Sequence, residues 1–313
     1  VIHKIEDMFF RFNSIWHMLF AILLLPLSFL YCIIGIFKKL LTRVHSFDIA
    51  VISVGNLTVG GSGKTPFSIE LCKQFEKPCV VLRGYGRDSK GLIVVSKFGE
   101  LRCDVGQSGD EAMLIAKKAP NACVIVSESR KKAVVVAKKL GCDVVLLDDG
   151  FGKFELEKFD ILLKPQLPFK NIFCLPSGPF RFPLFFEKFA DVVAVEGVDF
   201  KRVVNLPQDG EYILVTAIAN PKRLDAFLPR GVEHKYYFAD HHYFTKKEID
   251  EIVSKHQGAT ILCTEKDGVK LEALGVQYMA IGLSLEIEKS FFAFLSAKLK
   301  DRFPAIALKN QAS

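Results

Sequence analysis

No two cysteines in this sequence stand at the Cys-x-x-Cys spacing, and the eight present (32, 72, 79, 103, 123, 142, 174 and 263) are scattered along 313 residues. Their distribution argues against a structural zinc site and against a disulfide framework. Several lie in apolar runs such as "CVVL" and "CVIV", where a thiol behaves as a small hydrophobe. The chain therefore reads as reduced and facing the cytosol. Internal repeats and low-complexity tracts are also absent, and no small-residue cleavage site follows the N-terminal apolar run, so a cleaved signal peptide fits poorly. The charge excess is small: a net +7 favours anionic partners such as nucleotides, nucleic acid or headgroups without choosing among them.

Half of the residues are hydrophobic and a quarter charged, as in a globular protein with a sizeable core. The length suits two domains. One segment departs from this composition. "MLFAILLLPLSFLYCIIGIF", residues 18–37, carries no charge over roughly one bilayer-spanning length of helix. It is followed by Lys38, Lys39 and Arg43. It can span a membrane, lie in its surface or form a core helix. Pro26 in mid-run and the basic trailing flank favour an anchor on the inner, cytoplasmic face, although transmembrane helices do tolerate proline.

After residue 45 short β-branched runs alternate with helical stretches. "DIAVISVGN", "PCVVLRGYG", "NACVIVSES" and "CDVVLLDDGF" read as strands, and "PFSIELCKQF" and "KKAVVVAKKLG" as helices. This alternation predicts an α/β fold with a mostly parallel sheet covered on both faces. "NLPQDGEY", 205–212, reads as a linker, and "ILVTAIANP" opens a smaller α/β unit. The expected organisation is a membrane-associated helix at 1–45, a phosphate-loop core at 46–205 and a smaller domain at 206–313. The final "LKNQAS" is expected to fray.

Within "SVGNLTVGGSGKTPF", 53–67, a glycine-rich turn leaves a strand and enters a helix, exposing backbone N–H groups to an anion at the positive helix end. Gly60, Gly61, Ser62 and Gly63 form the cradle. Lys64 would reach the terminal phosphates and Thr65 would hold Mg²⁺. The usual pattern demands glycine where this chain has Thr58. "VVLLDDGF" then supplies Asp148 and Asp149 at the end of an apolar strand, as a metal-orienting carboxylate should be. The implied ligand is a nucleoside triphosphate. ATP is preferred by elimination: "TEKD" at 264–267 has lysine and aspartate adjacent, the wrong spacing for the Asn/Thr-Lys-x-Asp with which GTPases read their base. Asp110 in "QSGDEAMLIA" and the cluster Asp240-His241-His242 are candidate bases, although Asp110 also suits a helix cap. Residue types alone do not choose between a kinase and a membrane-associated ATPase switch.

Taken in order, "GNLTVGGSGKTP", "LRGYGR", "GDE", "DDGF", "LPSGPFR", "DHHYF" and "TEKD" resemble the tetraacyldisaccharide 4′-kinases, the lipid A 4′-kinases of Gram-negative bacteria. The resemblance runs from the N-terminal helix to about residue 270 and also accounts for Thr58. It implies transfer of the ATP γ-phosphoryl to the 4′-hydroxyl of a tetraacylated glucosamine disaccharide 1-phosphate. This lipid is met at the cytoplasmic face of the inner membrane, with no nucleic acid partner. By the same resemblance Asp110 is the catalytic base, assisted by His241. Lys64 and Thr65 serve the phosphates and Mg²⁺, with Asp148 and Asp149 in the metal region. Arg83, Tyr85, Arg87 and Arg181 become substrate or phosphate contacts, suited by the fit of arginine forks to phosphate. Two departures stand out. Gly152-Lys153 replaces a family Gln-His, and Phe182 replaces a glutamate whose loss Lys153 or Glu187 would have to offset.

Overall fold

The computed structural model describes residues 14–166 and 170–309. Residues 1–13 of the N-terminal segment, and residues 310–313 of the tail expected to fray, lie outside the described residues. Helix α1, Ile15–Leu41, is capped by the Ser14 hydroxyl, which accepts from the Trp16 N–H. It is long and apolar enough to cross a membrane by length and composition.

The larger sheet has eight strands: β1 (Ala50–Gly55), β2 (Pro78–Leu82), β3 (Ile93–Lys97), β4 (Glu100–Leu101), β5 (Cys123–Val126), β6 (Val144–Asp148), β7 (Phe159–Lys164) and β8 (Val192–Val195). Their order is β4-β3-β5-β2-β6-β1-β7-β8, and β3 alone runs antiparallel to its neighbours β4 and β5. Every residue of β2, β5 and β6 is buried, because both faces of the sheet are covered. The covering helices are α2 (Lys64–Cys72), the short α3 (Val105–Ser108), α4 (Asp110–Lys118) and α5 (Arg130–Lys139). A 3₁₀ turn, Leu184–Phe189, precedes β8.

The second sheet contains β9 (Phe200–Asn205), β10 (Tyr212–Thr216), β11 (Val232–Tyr237), β12 (Thr260–Thr264) and β13 (Tyr278–Ile287), ordered β11-β10-β12-β13-β9. Helices α6 (Lys246–Lys255) and α7 (Glu265–Ala273) belong to this unit. Two features tie the units together. Strand β9 precedes the sequence linker yet pairs antiparallel with β13. The last helix, α8 (Lys289–Arg302), returns to the first unit, where Phe291, Phe292, Leu295 and Leu299 share one core with Ile52, Phe67 and Val80. The chain thus passes from one unit to the other and back, and α7 packs against α4 across the junction.

Candidate active site

Strand β1 lies between β6 and β7, with Val54 in register with Asp148, so the glycine loop and the carboxylate turn leave the sheet side by side. The loop closes through Gly60 (φ 95°) and Gly63 (φ 82°), left-handed backbone that side chains resist, and α2 starts at Lys64. Thr58 needs no such freedom. It forms an isolated antiparallel bridge with Phe180, flanked by Val59 N–H donating to Pro179 O at 2.8 Å and Arg181 N–H donating to Leu57 O at 2.7 Å. The 179–181 segment is thereby stitched to the mouth of the phosphate loop.

Two charge groups form at this mouth. In the first, the Thr65 hydroxyl donates to Asp148 Oδ2 at 2.8 Å and the Ser68 hydroxyl to Oδ1 at 3.3 Å. Burial pushes Asp148 up to about 6, and Glu111 and Asp149 add repulsion against the opposing pull of Thr65 and Lys64. Asp149, at φ 55°, turns the other way. Arg181 grips both its oxygens at 2.7 Å, and Lys64 Nζ stands 3.7 Å from Oδ1. Burial alone would raise Asp149, but Arg181 and Lys64 hold it below the ordinary carboxylate range. Asn56 joins the group. Its side-chain oxygen accepts from Lys64 at 3.1 Å and from Arg181, while its amide donates to Thr58. Asn56 stands inside the glycine-loop motif, but its residue type alone does not mark it as part of the site.

The second group crosses between the two units. Asp110 opens α4 and is 2% exposed. His241 follows β11, and its Nδ1 lies 3.1 Å from both Asp110 oxygens. A backbone bond to Ala217 O and a left-handed φ of 59° aim the ring. Left-handed backbone at a non-glycine costs free energy, and such positions cluster at functional sites. Of the adjacent histidines only His241 faces Asp110; His242 Nε2 is bonded to Glu248 at 3.2 Å and its ring stacks on Phe238. Two lysines of α7 complete the cage. Lys266 Nζ lies 3.3 Å from Glu111, 3.3 Å from His241 Nε2 and 3.9 Å from Asp110, and Lys270 Nζ is 3.6 Å from Asp110. Burial opposes ionisation of Asp110, but the His241 bond and Lys266 keep its carboxyl below the usual range. The Asp110 bond raises His241 against the effect of burial. The contact thus lowers the proton affinity of Asp110 and raises that of His241.

The two lysines were not singled out as site residues, although Lys266 lies within "TEKD". Within that string Asp267 is a buried structural node, bonded to Thr216 and Thr264 and paired with Lys270 at 2.8 Å.

The "RGYGR" residues are distributed differently. The Tyr85 ring is stacked beside His241 at 6.4 Å and is 62% exposed, and the Arg83 guanidinium lies over it at 5.3 Å. Arg87 is buried and spent on Glu128 and the Gly91 carbonyl, bracing its own loop. As to the departures, a Cβ at Gly152 would stand 2.9 Å from Phe182 Cζ, so the ring fills the space a side chain would need. Glu187 is bonded to Lys164.

Among the described residues no group of three or more His, Cys, Asp or Glu side chains is placed to hold a metal by itself. The Thr65 hydroxyl and Asp148 carboxylate are nonetheless hard oxygen donors. They fit Mg²⁺, which binds through one or two carboxylates together with substrate phosphates.

Comparison with known proteins agrees with this geometry. The family model described as tetraacyldisaccharide-1-P 4′-kinase matches residues 20–207 and 198–300. A tetraacyldisaccharide 4′-kinase of Aliarcobacter butzleri is 47% identical over 297 residues, covering 92% of this chain and 94% of that one. One from Campylobacter jejuni serotype O:2 is 41% identical over 298 residues, covering 95% and 96%. The crystal structure of LpxK from Aquifex aeolicus in complex with ATP superposes with a TM-score of 0.73 at 29% identity, covering 90% of this chain and 99% of that one. With relatives this similar matched along almost its whole length, the chain belongs to the tetraacyldisaccharide 4′-kinase family.

Proposed function

We propose that the two charge groups form one centre transferring the γ-phosphoryl of ATP to the 4′-hydroxyl of a tetraacylated glucosamine disaccharide 1-phosphate. Family membership makes the chain an ATP-dependent kinase of lipid A biosynthesis. The contact of His241 with Asp110 is the observation that supports this reading most. It brings a side chain of the second unit onto the first, next to Glu111, whose charge acts on Lys64 and Asp148.

The triphosphate lies along Gly60–Thr65, with backbone N–H groups and the α2 N-terminus directed at it. Lys64, which contacts Asn56, Ser62 and Asp149, turns to the β- and γ-oxygens when the triphosphate binds. Mg²⁺ held by Thr65 and Asp148 would supply charge neutralisation at the terminal phosphates. Arg181 fixes Asp149 and keeps this carboxylate charged. The acceptor 4′-oxygen attacks Pγ in line, the Pγ–O bond to the β-phosphate breaks, ADP leaves, and the hydroxyl proton passes to Asp110. The low proton affinity of Asp110 suits a late transfer. In a loose transition state the oxygen becomes strongly acidic only as its bond to phosphorus forms, and a weak base then suffices. His241 and Lys266 steady the carboxylate until that moment. Tyr85 and Arg83, exposed beside His241, receive the sugar phosphate. The acceptor is a lipid, so the enzyme works at the cytoplasmic membrane face, to which α1 anchors it.

The test is to incubate the protein with γ-labelled ATP and dispersed lipid acceptor, then separate lipid from inorganic phosphate. Label is expected on the lipid and is lost in Lys64→Ala and Asp110→Ala. Release as free phosphate alone would replace the kinase by an ATPase switch, and full activity in Asp110→Ala would remove the base assignment.

A further inference from the structure

Helix α1 does not stand clear of the protein. Ala21 is fully buried and Ser28, at the midpoint of the helix, is 4% exposed. The Ser28 hydroxyl donates to the Cys174 carbonyl at 2.8 Å and accepts from the Ser177 N–H at 2.9 Å. Cys32 and Ile36 pack on the cluster of Phe151, Phe154 and Phe186. Lys39 lies over the Phe154 and Phe189 rings. These positions recur at helical spacing, so one face is seated on the protein past its midpoint. The opposite face, including Trp16, Phe20, Leu23, Leu27, Leu30 and Phe37, is exposed and apolar along about 40 Å of helix.

This seating bears on how the helix meets a bilayer. A perpendicular span would carry its midpoint to the centre of the hydrocarbon. The irregular 171–177 segment bonded to Ser28, with its buried Asn171, would have to follow. Irregular polar backbone is not tolerated against lipid at that depth. Beside the helix the Leu184–Phe189 turn buries Phe186 yet exposes Leu184, Phe185 and Phe189 by 39%, 47% and 45%. Exposed Lys38 and Arg43 stand at the C-terminal end of α1, and exposed Lys188 lies within the turn. An apolar stripe with a cationic margin matches an anionic lipid surface.

We propose that α1 and the Leu184–Phe189 turn form one platform lying in the plane of an anionic bilayer surface, the turn being a second lipid-inserting element beside the helix. The inference rests on the lipid-kinase reading and deepens it: the platform fixes the height at which the phosphate loop meets the headgroup of its acceptor.

Trp16 is the only tryptophan, so Trp16→Phe gives a silent background for single reporters. Leu30→Trp and Phe185→Trp are placed in it and bound to vesicles of phosphatidylglycerol and phosphatidylcholine brominated either near the headgroup or near the acyl terminus. Both reporters, and Trp16 in the native protein, are expected to be quenched more strongly by the shallow bromine. Deep bromine quenching Leu30→Trp best would establish a span and overturn the proposal. Silence of Phe185→Trp on bound protein would overturn the role of the turn. Phe185→Ser with Phe189→Ser is expected to weaken vesicle partitioning about tenfold while sparing activity on detergent-dispersed acceptor. Unchanged partitioning would also refute it. Failure of the native protein to bind vesicles while it phosphorylates dispersed lipid would overturn the platform and leave the kinase reading intact.

Discussion

Asp148→Asn should stabilise the nucleotide-free protein while destroying its activity. Asp148 is 5% exposed, and burial with Glu111 and Asp149 nearby raises it from the ordinary 3.8 to about 6. At about 1.36 kcal/mol per pH unit, the ionised carboxylate costs the folded state about 3 kcal/mol. The folded state binds the proton more tightly than the unfolded chain, so wild-type stability falls as pH rises from about 4 through about 6 and then levels off. Asparagine is neutral throughout and nearly the same shape, and its amide can meet the Thr65 and Ser68 hydroxyls. The melting temperature of Asp148→Asn should exceed that of wild type by a few degrees at pH 8. This advantage should shrink through the window from about 6 to about 4. Wild type should gain more stability than the variant from Mg²⁺ with ATP, because only it keeps the charged metal ligand. Calorimetry across pH, with and without nucleotide, makes the comparison. An offset between the two proteins that does not change with pH would refute the claim that this carboxylate is held against its preference.

Asp110→Asn should lower lipid phosphorylation by about 10²- to 10⁴-fold with little change in the KM for ATP, the range for loss of a general base; steady-state kinetics would show it. The Asp110–His241 pair is intact only between the lowered value of Asp110 and the raised value of His241. Its contribution should fall away as pH drops through the former or rises through the latter, and His241→Gln should flatten the alkaline limb of the rate profile. Lys270→Met strands the Asp267 carboxylate among buried groups and should cost about 3–5 kcal/mol in denaturant unfolding. Gly152→Ala should lose about 1–3 kcal/mol against the Phe182 ring, and the loss should be relieved in a Phe182→Ala background.

The strands and the phosphate loop were legible because both are local: a β-branched run, a bare turn and a helix start follow one another in the chain. Asp148 was legible for the same reason, standing at the end of an apolar strand. The cage around Asp110 was less so. Lys266 and Lys270 lie about 160 residues away and reach it only through the packing of α7 on α4, while His241 comes from the turn after β11. Thr58 contradicted simple phosphate-loop counting because its conformation is set by the distant 179–181 segment. Strand β9 lay ahead of the apparent linker, and its partner β13 follows roughly 80 residues later, so the sequence around it did not disclose its sheet. Phe182 and Gly152 look like separate departures in the chain and become one packing solution in space.

The central claim is that the bare loop ahead of Lys64 receives the terminal phosphates of ATP. A crystal structure with Mg²⁺ and a non-hydrolysable ATP analogue tests it directly. Density for the β- and γ-phosphates is expected on the backbone of Gly60–Thr65, with Lys64 drawn away from Asn56 onto their oxygens. A triphosphate bound elsewhere, or a Lys64 still held by Asn56 and Asp149 with nucleotide present, would contradict it.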